Sequence, residues 1–246
     1  MRQLKYLVTG TGRCGTVYLS RLLTSLGTPC GHESIFGVYG LMFALRRLAV
    51  LDPCYNSLSS SRDGEQGRII DLPDAEASYM AAPYLASGLF HNCDKVIHLV
   101  RNPLEVVNSF VNGLRYFASQ NTIWENDKGE FVSCGYHRFI YQYVPELTAT
   151  MTPIERACLY YVRWNQMIEK FLPPNGVRVR LEDCPQAIFS ALGTEPPHIY
   201  YEVTNSNTAD KKGKTTSLLD IPDGKIKLEF VSIAERYGYK LRKVFA

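Results

Sequence analysis

The hydrophobic positions of the chain form short continuous runs that alternate with segments of helical periodicity. The first run predicts a buried strand at Lys5–Val8, and the segment from about Gly15 to Leu26 predicts a helix that ends at Gly27. Another run predicts a strand at Val96–Val100. Strands that alternate with helices are typical of an α/β domain with a mostly parallel sheet, in which ligands bind at the carboxyl ends of the strands.

The helix after the second predicted strand has a clear start signal. Asn102 is suited to the cap, Pro103 to the first helical position and Glu105 to the third. Three more elements are predicted: a strand at Val177–Leu181, a short helix ended by Gly193, and a helix at Lys225–Arg236. We therefore expect one α/β domain over residues 1–246, with a mostly parallel sheet flanked by helices.

Two insertions, at about 36–90 and 119–150, interrupt this pattern. The second is aromatic-rich and is predicted to be irregular. The first is predicted to contain an amphipathic helix at 36–51, a polar loop at 53–72 and a helix near 74–90. Glu76 and Ser78 open that last helix, and we expect them to face a substrate, because the insertions are the parts that would recognise it.

Composition excludes several classes of protein. Apolar residues make up 46% of the 246 residues and charged residues 21%, which is ordinary for a soluble globular protein. The net charge of +3 is too small to indicate a nucleic-acid partner. The seven cysteines are odd in number and show no CxxC spacing, which favours a reducing compartment without structural zinc. Without a signal peptide or an apolar stretch of membrane-spanning length, we expect a cytoplasmic protein with no membrane partner.

A glycine-rich loop follows the first strand and is typical of phosphate-binding strand–loop–helix units. Gly10, Gly12 and Gly15 match the dinucleotide pattern GxGxxG, but that fold also needs a second strand ending in an acid. The segment before Glu33 reads GTPCGHE and favours at most a very short strand. A Walker A loop needs a lysine directly after its last glycine, where this chain has Thr16, so Mg-nucleotide hydrolysis is disfavoured.

Cys14 suggests a third possibility, a phosphatase nucleophile at a helix start, where the pKa of a thiol is lowered. Cysteine phosphatases carry an arginine at the position of Ser20, and Arg21 comes one residue too late. A small residue packed in a tight loop is therefore the favoured interpretation of Cys14. What remains is a phosphate loop that contains its own cation, Arg13.

This loop resembles the 5′-phosphosulfate loop of the sulfotransferases, which reads Arg/Lys-Ser-Gly-Thr-Thr after the first strand. Cys14 replaces the serine and Val17 the second threonine, so two side-chain hydroxyls are lost while the backbone N–H groups of 14–17 remain. The resemblance implies a nucleotide-binding loop made of Gly12, Arg13, Cys14, Gly15, Thr16 and Val17.

A second stretch, KVIHLVRNPLEVVNSF, resembles the 3′-phosphate motif of the same family, a strand ending in arginine followed by a serine eight residues later. Arg101 and Ser109 match that motif in type and spacing. A guanidinium at a strand end offers a planar fork to a phosphate, and the serine hydroxyl two helical turns later can contact the same group. VRVRLEDC resembles the family's strand that ends in Tyr-Glu-Asp-Leu.

The C-terminal stretch ADKKGKTTSL resembles the basic loop that closes over the 3′-phosphate in that family. The resemblance assigns Lys211, Lys212, Gly213 and Lys214 to the nucleotide. A solvated run of charge is the alternative interpretation of these residues.

The resemblance implies a P-loop-NTPase-like α/β fold and the activity of a PAPS-dependent sulfotransferase. Such an enzyme moves a sulfonate from 3′-phosphoadenosine 5′-phosphosulfate (PAPS) to a hydroxyl of a sugar, phenol or tyrosine. It leaves adenosine 3′,5′-bisphosphate and needs no metal. Arg13 would supply positive charge at the transferring group. CGHES resembles the Gly-Glu-Glu-Thr segment of the tyrosylprotein sulfotransferases, which makes Glu33 the general base and places His32 at the first acid. His32 and His98 remain rival bases.

Two other functions remain open at this point. A nucleotide or small-molecule kinase would need ATP and Mg²⁺, and the missing loop lysine speaks against it. A non-catalytic module that binds the adenosine bisphosphate would use the same loops without needing Glu33.

Overall fold

The structure is a computed structural model that describes residues 4–36, 73–88, 90–113, 117, 135–148, 150–195 and 216–241, with backbone alone at 135–138. Its strands are β1 (Tyr6–Gly10), β2 (Cys30–His32), β3 (Ala75–Ala77), β4 (Lys95–Val100) and β5 (Gly176–Arg180). Its α-helices are α1 (Thr16–Ser25), α2 (Pro103–Asn108), α3 (Gly135–Tyr143), α4 (Pro153–Phe171), α5 (Gln186–Leu192) and α6 (Lys225–Arg236). A 3₁₀ helix covers Tyr79–Ser87, and a π-helical turn, Ser109–Gly113, continues α2.

The five strands form one parallel sheet in the order β2-β3-β1-β4-β5. This confirms the predicted α/β class with a parallel sheet flanked by helices. Tyr6 pairs with Ala75 of β3 on one side and with Lys95 of β4 on the other. In the usual dinucleotide-binding order the second strand lies beside the first. Here β3 takes that position, which speaks further against the dinucleotide interpretation.

Both faces of the sheet are covered by helices, and the side chains of β1 alternate between the two cores. Tyr6 and Val8 belong to the core beneath α1 and α5, whereas Leu7 belongs to the larger core beneath α2, α4 and α6. Strands buried on both faces need continuous apolar sequences. This explains why the central strands β1 and β4 were predictable from their apolar runs.

Two of the predictions for the insertions are wrong. The stretch near 74–90 begins with strand β3 and continues as a 3₁₀ helix, and residues 135–143 within the second insertion are helical. Residues 119–134 of the second insertion lie outside the described residues. So do residues 37–72, which cover the predicted polar loop and nearly all of the predicted amphipathic helix. The longest described helix, α4, has no counterpart among the predicted elements, although Thr152 and Glu155 form a capping box at its start.

The order of the strands creates a switch point between β1 and β4. The chain leaves β1 through α1 toward β2 at one edge of the sheet, and leaves β4 toward β5 at the other edge. Ligands of open α/β sheets bind in the crevice at the carboxyl ends of such strands. None of the helices in the described ranges is long and apolar enough to cross a membrane.

Candidate functional site

The loop between β1 and α1 is built around close backbone approaches. A Cβ atom at Gly10 would collide with the carbonyl oxygen of Leu99 on β4 and lie 2.7 Å from Sγ of Cys14. Gly15 has φ 107° and Arg13 has φ 68°, both in the left-handed region that favours glycine. Arg13 is thus held in a conformation that a non-glycine residue adopts at a cost of about 1–2 kcal/mol.

The back of the loop is attached to α4. The backbone N–H of Gly12 donates to the hydroxyl of Tyr160 at 2.9 Å, and the Tyr160 side chain is fully buried. The ring of Phe110 packs edge-on against that of Tyr160 with centroids 5.2 Å apart. A Cβ atom at Gly12 would lie 3.0 Å from the Phe110 ring. Two aromatic side chains therefore set the position of the loop relative to the sheet.

Cys14 is a packed residue of this loop. Its side chain is fully buried, and burial raises the pKa of its thiol to about 12. A thiol with such a pKa is protonated at neutral pH, whereas a cysteine nucleophile must be a thiolate. The phosphatase interpretation therefore has no support in the geometry.

The structure brings Arg13, Arg101 and Ser109 together at the switch point. Nε of Arg13 donates to Oγ of Ser109 at 3.0 Å, and Nη1 of Arg101 donates to the carbonyl oxygen of Arg13 at 3.2 Å. The pKa of Arg13 is lowered, first by burial and then by the nearby positive charge of Arg101. We use the name anion cluster for these three side chains together with the first turn of α1. Gly15 precedes that turn and gives it no side-chain cap.

Arg101 is oriented by residues from three other elements. Its Nη2 pairs with Oε2 of Glu105 at 3.0 Å, and its carbonyl oxygen accepts a bond from the Tyr161 hydroxyl at 3.2 Å. The next backbone N–H, that of Asn102, donates to Glu182 Oε1 at 2.7 Å. The other oxygen of Glu182 accepts from the Tyr239 hydroxyl at 2.6 Å. The LEDC stretch thus supports the carboxyl end of β4.

His32 and Glu33 lie beside the start of α1. Nε2 of His32 is joined to Oγ1 of Thr16 by a 3.0 Å hydrogen bond and lies 3.8 Å from Oε1 of Glu33. Burial, and then the positive charge of Arg21, lowers the pKa of His32, so its imidazole is neutral at pH 7. Burial, and then the negative charge of Glu76, raises the pKa of Glu33. A carboxylate with a raised pKa is a better proton acceptor at neutral pH.

Glu76 and Ser78 do not face a substrate, and only Ser78 opens a helix. Both side chains are fully buried: Glu76 is on β3, and Ser78 caps the 3₁₀ helix by accepting from the Met80 N–H. Glu76 accepts from Ser34 Oγ at 2.6 Å and from the Ile35 N–H at 2.9 Å. The sequence around Glu76, PDAEAS, gives no signal for this role.

His98 is a core residue. It is fully buried on β4, and its Nε2 is 2.8 Å from Oδ1 of Asn165 on α4. Burial lowers the pKa of His98 to about 4. His98 therefore has no access to an acceptor, and His32 and Glu33 remain as candidate bases.

The predicted basic loop, Lys211, Lys212, Gly213 and Lys214, lies outside the described residues. The description resumes at Thr216, whose N–H donates to Oδ1 of Asn108 at 3.1 Å, one residue before Ser109. Within the described ranges no group of histidine, cysteine and acidic residues is arranged to hold a metal ion.

Comparison with known proteins adds no family to this description: no family model matches the chain, and no curated protein matches it significantly. Function is therefore inferred from the chemistry of the site itself. The anion cluster, with a half-buried acid and a neutral imidazole beside it, is suited to an anionic ligand and a proton-accepting step.

Proposed function

We propose that the protein is a PAPS-dependent sulfotransferase that moves a sulfonate to a hydroxyl of an acceptor. The observation that carries the proposal is the hydrogen bond between Arg13 and Ser109, since it joins the two separate motifs that resemble the 5′-phosphosulfate and 3′-phosphate sites of that family. Arg101 completes the group at the switch point of the sheet, where α/β folds bind ligands.

The charge balance of the cluster supports an anion with more than one negative group. The guanidinium groups of Arg13 and Arg101 lie close enough for Arg101 to lower the pKa of Arg13. The acid that pairs with Arg101, Glu105, is half exposed, so solvent screens its negative charge. An anion bound between two such cations relieves their repulsion and favours their charged forms. In this proposal Arg101 and Ser109 hold the 3′-phosphate, and Arg13 with the first N–H groups of α1 holds the 5′ end.

The residues of the chain have separate tasks in the proposed reaction. PAPS would supply the sulfonate, and adenosine 3′,5′-bisphosphate would leave. Glu33 takes the proton of the acceptor hydroxyl as the acceptor oxygen forms its bond to sulfur. Arg13 stabilises the charge that develops on the bridging oxygen as the bond from that oxygen to sulfur breaks. The neutral His32 keeps Thr16, the first residue of α1, in place.

The proposal extends to the whole chain. It includes a P-loop-like fold in which the loop between β1 and α1 binds the nucleotide, and a single domain over residues 1–246. It also includes a cytoplasmic location, which is in keeping with the five described cysteines being free thiols.

Ligand binding is the first test. Thermal unfolding is measured with adenosine 3′,5′-bisphosphate, with ATP and Mg²⁺, and with NAD. We expect only the bisphosphate to stabilise strongly, by about 2.7 kcal/mol at a hundredfold excess over its Kd. Stabilisation by ATP and Mg²⁺ alone would instead support a kinase.

Group transfer is the second test. Sulfur-labelled PAPS is incubated with the protein and a panel of phenols, sugars and tyrosine peptides, and labelled product is separated. Transfer to one class of acceptor supports the proposed sulfotransferase activity. Tight binding of the bisphosphate without transfer to any acceptor supports a non-catalytic binding module.

A further inference from the structure

A buried carboxylate supports the turn that carries Glu33. Glu76 lies on β3, directly beside β2, and its side chain is fully buried. Its two oxygens accept from consecutive residues of the turn that follows Glu33: Oε2 from Ser34 Oγ at 2.6 Å, and Oε1 from the Ile35 N–H at 2.9 Å. A buried carboxylate is costly unless it is hydrogen bonded, so these two bonds tie the turn to the sheet.

Glu33 needs such support because its backbone is strained. Its φ is 54°, in the left-handed region that non-glycine residues rarely occupy. Its N–H donates to the carbonyl oxygen of Ala77 at 3.3 Å, so β3 holds the turn at Glu33 itself and at the two residues that follow it. Gly31 leaves room for the arrangement, since a Cβ atom there would collide with Ser34 Oγ and Glu76 Oε2.

We propose that Glu76 is a positioning residue, which holds Glu33 beside the anion cluster through its hydrogen bonds to Ser34 and Ile35. This inference rests on the proposed role of Glu33 as general base. It goes beyond that role because it assigns a function to a fully buried residue that is bonded to the turn after Glu33.

The electrostatic part of the inference depends on the groups around Glu33. These are His32 on β2, Glu76 on β3 and Tyr160 on α4. Burial makes the largest contribution to the raised pKa of Glu33, and the charge of Glu76 raises it further. Burial also raises the pKa of Glu76, while its bonds to the turn lower it. Removing the charge of Glu76 should therefore make Glu33 more acidic, provided that the turn keeps its conformation.

The test compares Glu76→Gln with Ser34→Ala. Glu76→Gln removes the charge and keeps the shape, whereas Ser34→Ala removes one hydrogen bond and keeps the charge. Carboxyl NMR titration follows Glu33, which is assigned by the loss of its signal in Glu33→Gln. We expect Glu76→Gln to lower the titration midpoint of Glu33 and to shift the acidic limb of the kcat profile in the same direction. We expect Ser34→Ala to lower kcat severalfold with little change in midpoint.

The binding of adenosine 3′,5′-bisphosphate serves as the control, and it should stay within twofold in both variants. An unchanged Glu33 midpoint in Glu76→Gln, together with an unchanged kcat in Ser34→Ala, would overturn the inference. If Glu76→Gln does not fold, the kcat of Ser34→Ala tests the inference: a severalfold decrease supports it, and an unchanged kcat overturns it. If the Glu33 midpoint moves but no acceptor is sulfated, the electrostatic effect of Glu76 on Glu33 stands, whereas the proposed function fails together with the catalytic positioning role that rests on it.

Discussion

Arg13 and Ser109 are 96 residues apart in the chain, yet Nε of one donates to Oγ of the other at 3.0 Å. The bond links the loop after β1 to the helical segment after β4. Because Ser109 is matched to a 3′-phosphate site and Arg13 to a 5′-phosphosulfate site, nucleotide binding would require the two side chains to share or exchange this bond. The anion cluster is therefore a single unit, and its members should be tested with ligands that differ in one phosphate.

Replacing Arg101 with alanine should weaken the binding of adenosine 3′,5′-bisphosphate about tenfold or more, because a charge-assisted hydrogen bond contributes about 1.5–3 kcal/mol. The loss should be smaller for adenosine 5′-phosphosulfate, which lacks the 3′-phosphate. Isothermal titration calorimetry measures both affinities. Glu105→Gln is the matched control, since it removes the negative charge beside Arg101 and keeps the guanidinium. Equal losses for the two ligands in Arg101→Ala would contradict the assignment.

Replacing Arg13 with alanine should reduce turnover by about 10²–10³, the usual effect of losing a group that stabilises transition-state charge. Binding of the bisphosphate should weaken by a smaller factor. Single-turnover kinetics with labelled PAPS separates the two effects. A collapse of affinity with normal turnover at saturation would show that Arg13 only anchors a phosphate. Ser109→Ala tests the partner, and we expect it to affect binding more than turnover.

Glu33→Gln should lower the transfer rate by about 10²–10⁴, as expected for loss of a general base, while nucleotide affinity barely changes. His32→Asn should lower the transfer rate by a smaller factor, because the role assigned to His32 is to hold Thr16 in place. The raised pKa of Glu33 also sets the pH dependence: the base form is lost as pH falls through that pKa, so kcat should fall on the acidic side. Near-normal transfer by Glu33→Gln with an inactive His32→Asn would make His32 the base.

Tyr160→Phe should destabilise the fold by about 1–3 kcal/mol, because it leaves the N–H of Gly12 buried without its acceptor. The nucleotide should also bind more weakly, since the loop loses its attachment to α4. Urea unfolding and calorimetry measure the two effects. Tyr161→Phe is the matched variant on the same helix, and it removes the bond to the Arg101 carbonyl instead. If Tyr160→Phe matched the wild type in both measurements, the bond to Gly12 would have no role in holding the loop.

Several elements could be predicted from local sequence because local chemistry determines them. The apolar runs of β1 and β4 and the alternating pattern of β5 placed these strands within two residues of their observed bounds, and the helix Lys225–Arg236 was predicted with its observed bounds. Asn102 caps α2 as expected, through a bond from the Leu104 N–H. Gly27 and Gly193 follow α1 and α5 with positive φ, as glycines at helix ends commonly do.

The short strands and the supports of the site were decided by tertiary structure. Strands β2 and β3 have three residues each, too few for a periodic pattern. They exist because β1 offers a pairing edge to β3, and β3 in turn offers one to β2. Arg13 and Arg101 follow the ends of two predicted strands, and Ser109 lies on the helix after the second. These positions already indicated a shared site, because the ends of parallel strands meet at one edge. The sequence does not show that Tyr160 would hold Gly12 or that Glu76 would hold the turn after Glu33. The bond between Gly12 and Tyr160 joins residues 148 positions apart, and the bonds of Glu76 join residues more than 40 positions apart. Only packing brings these residues together.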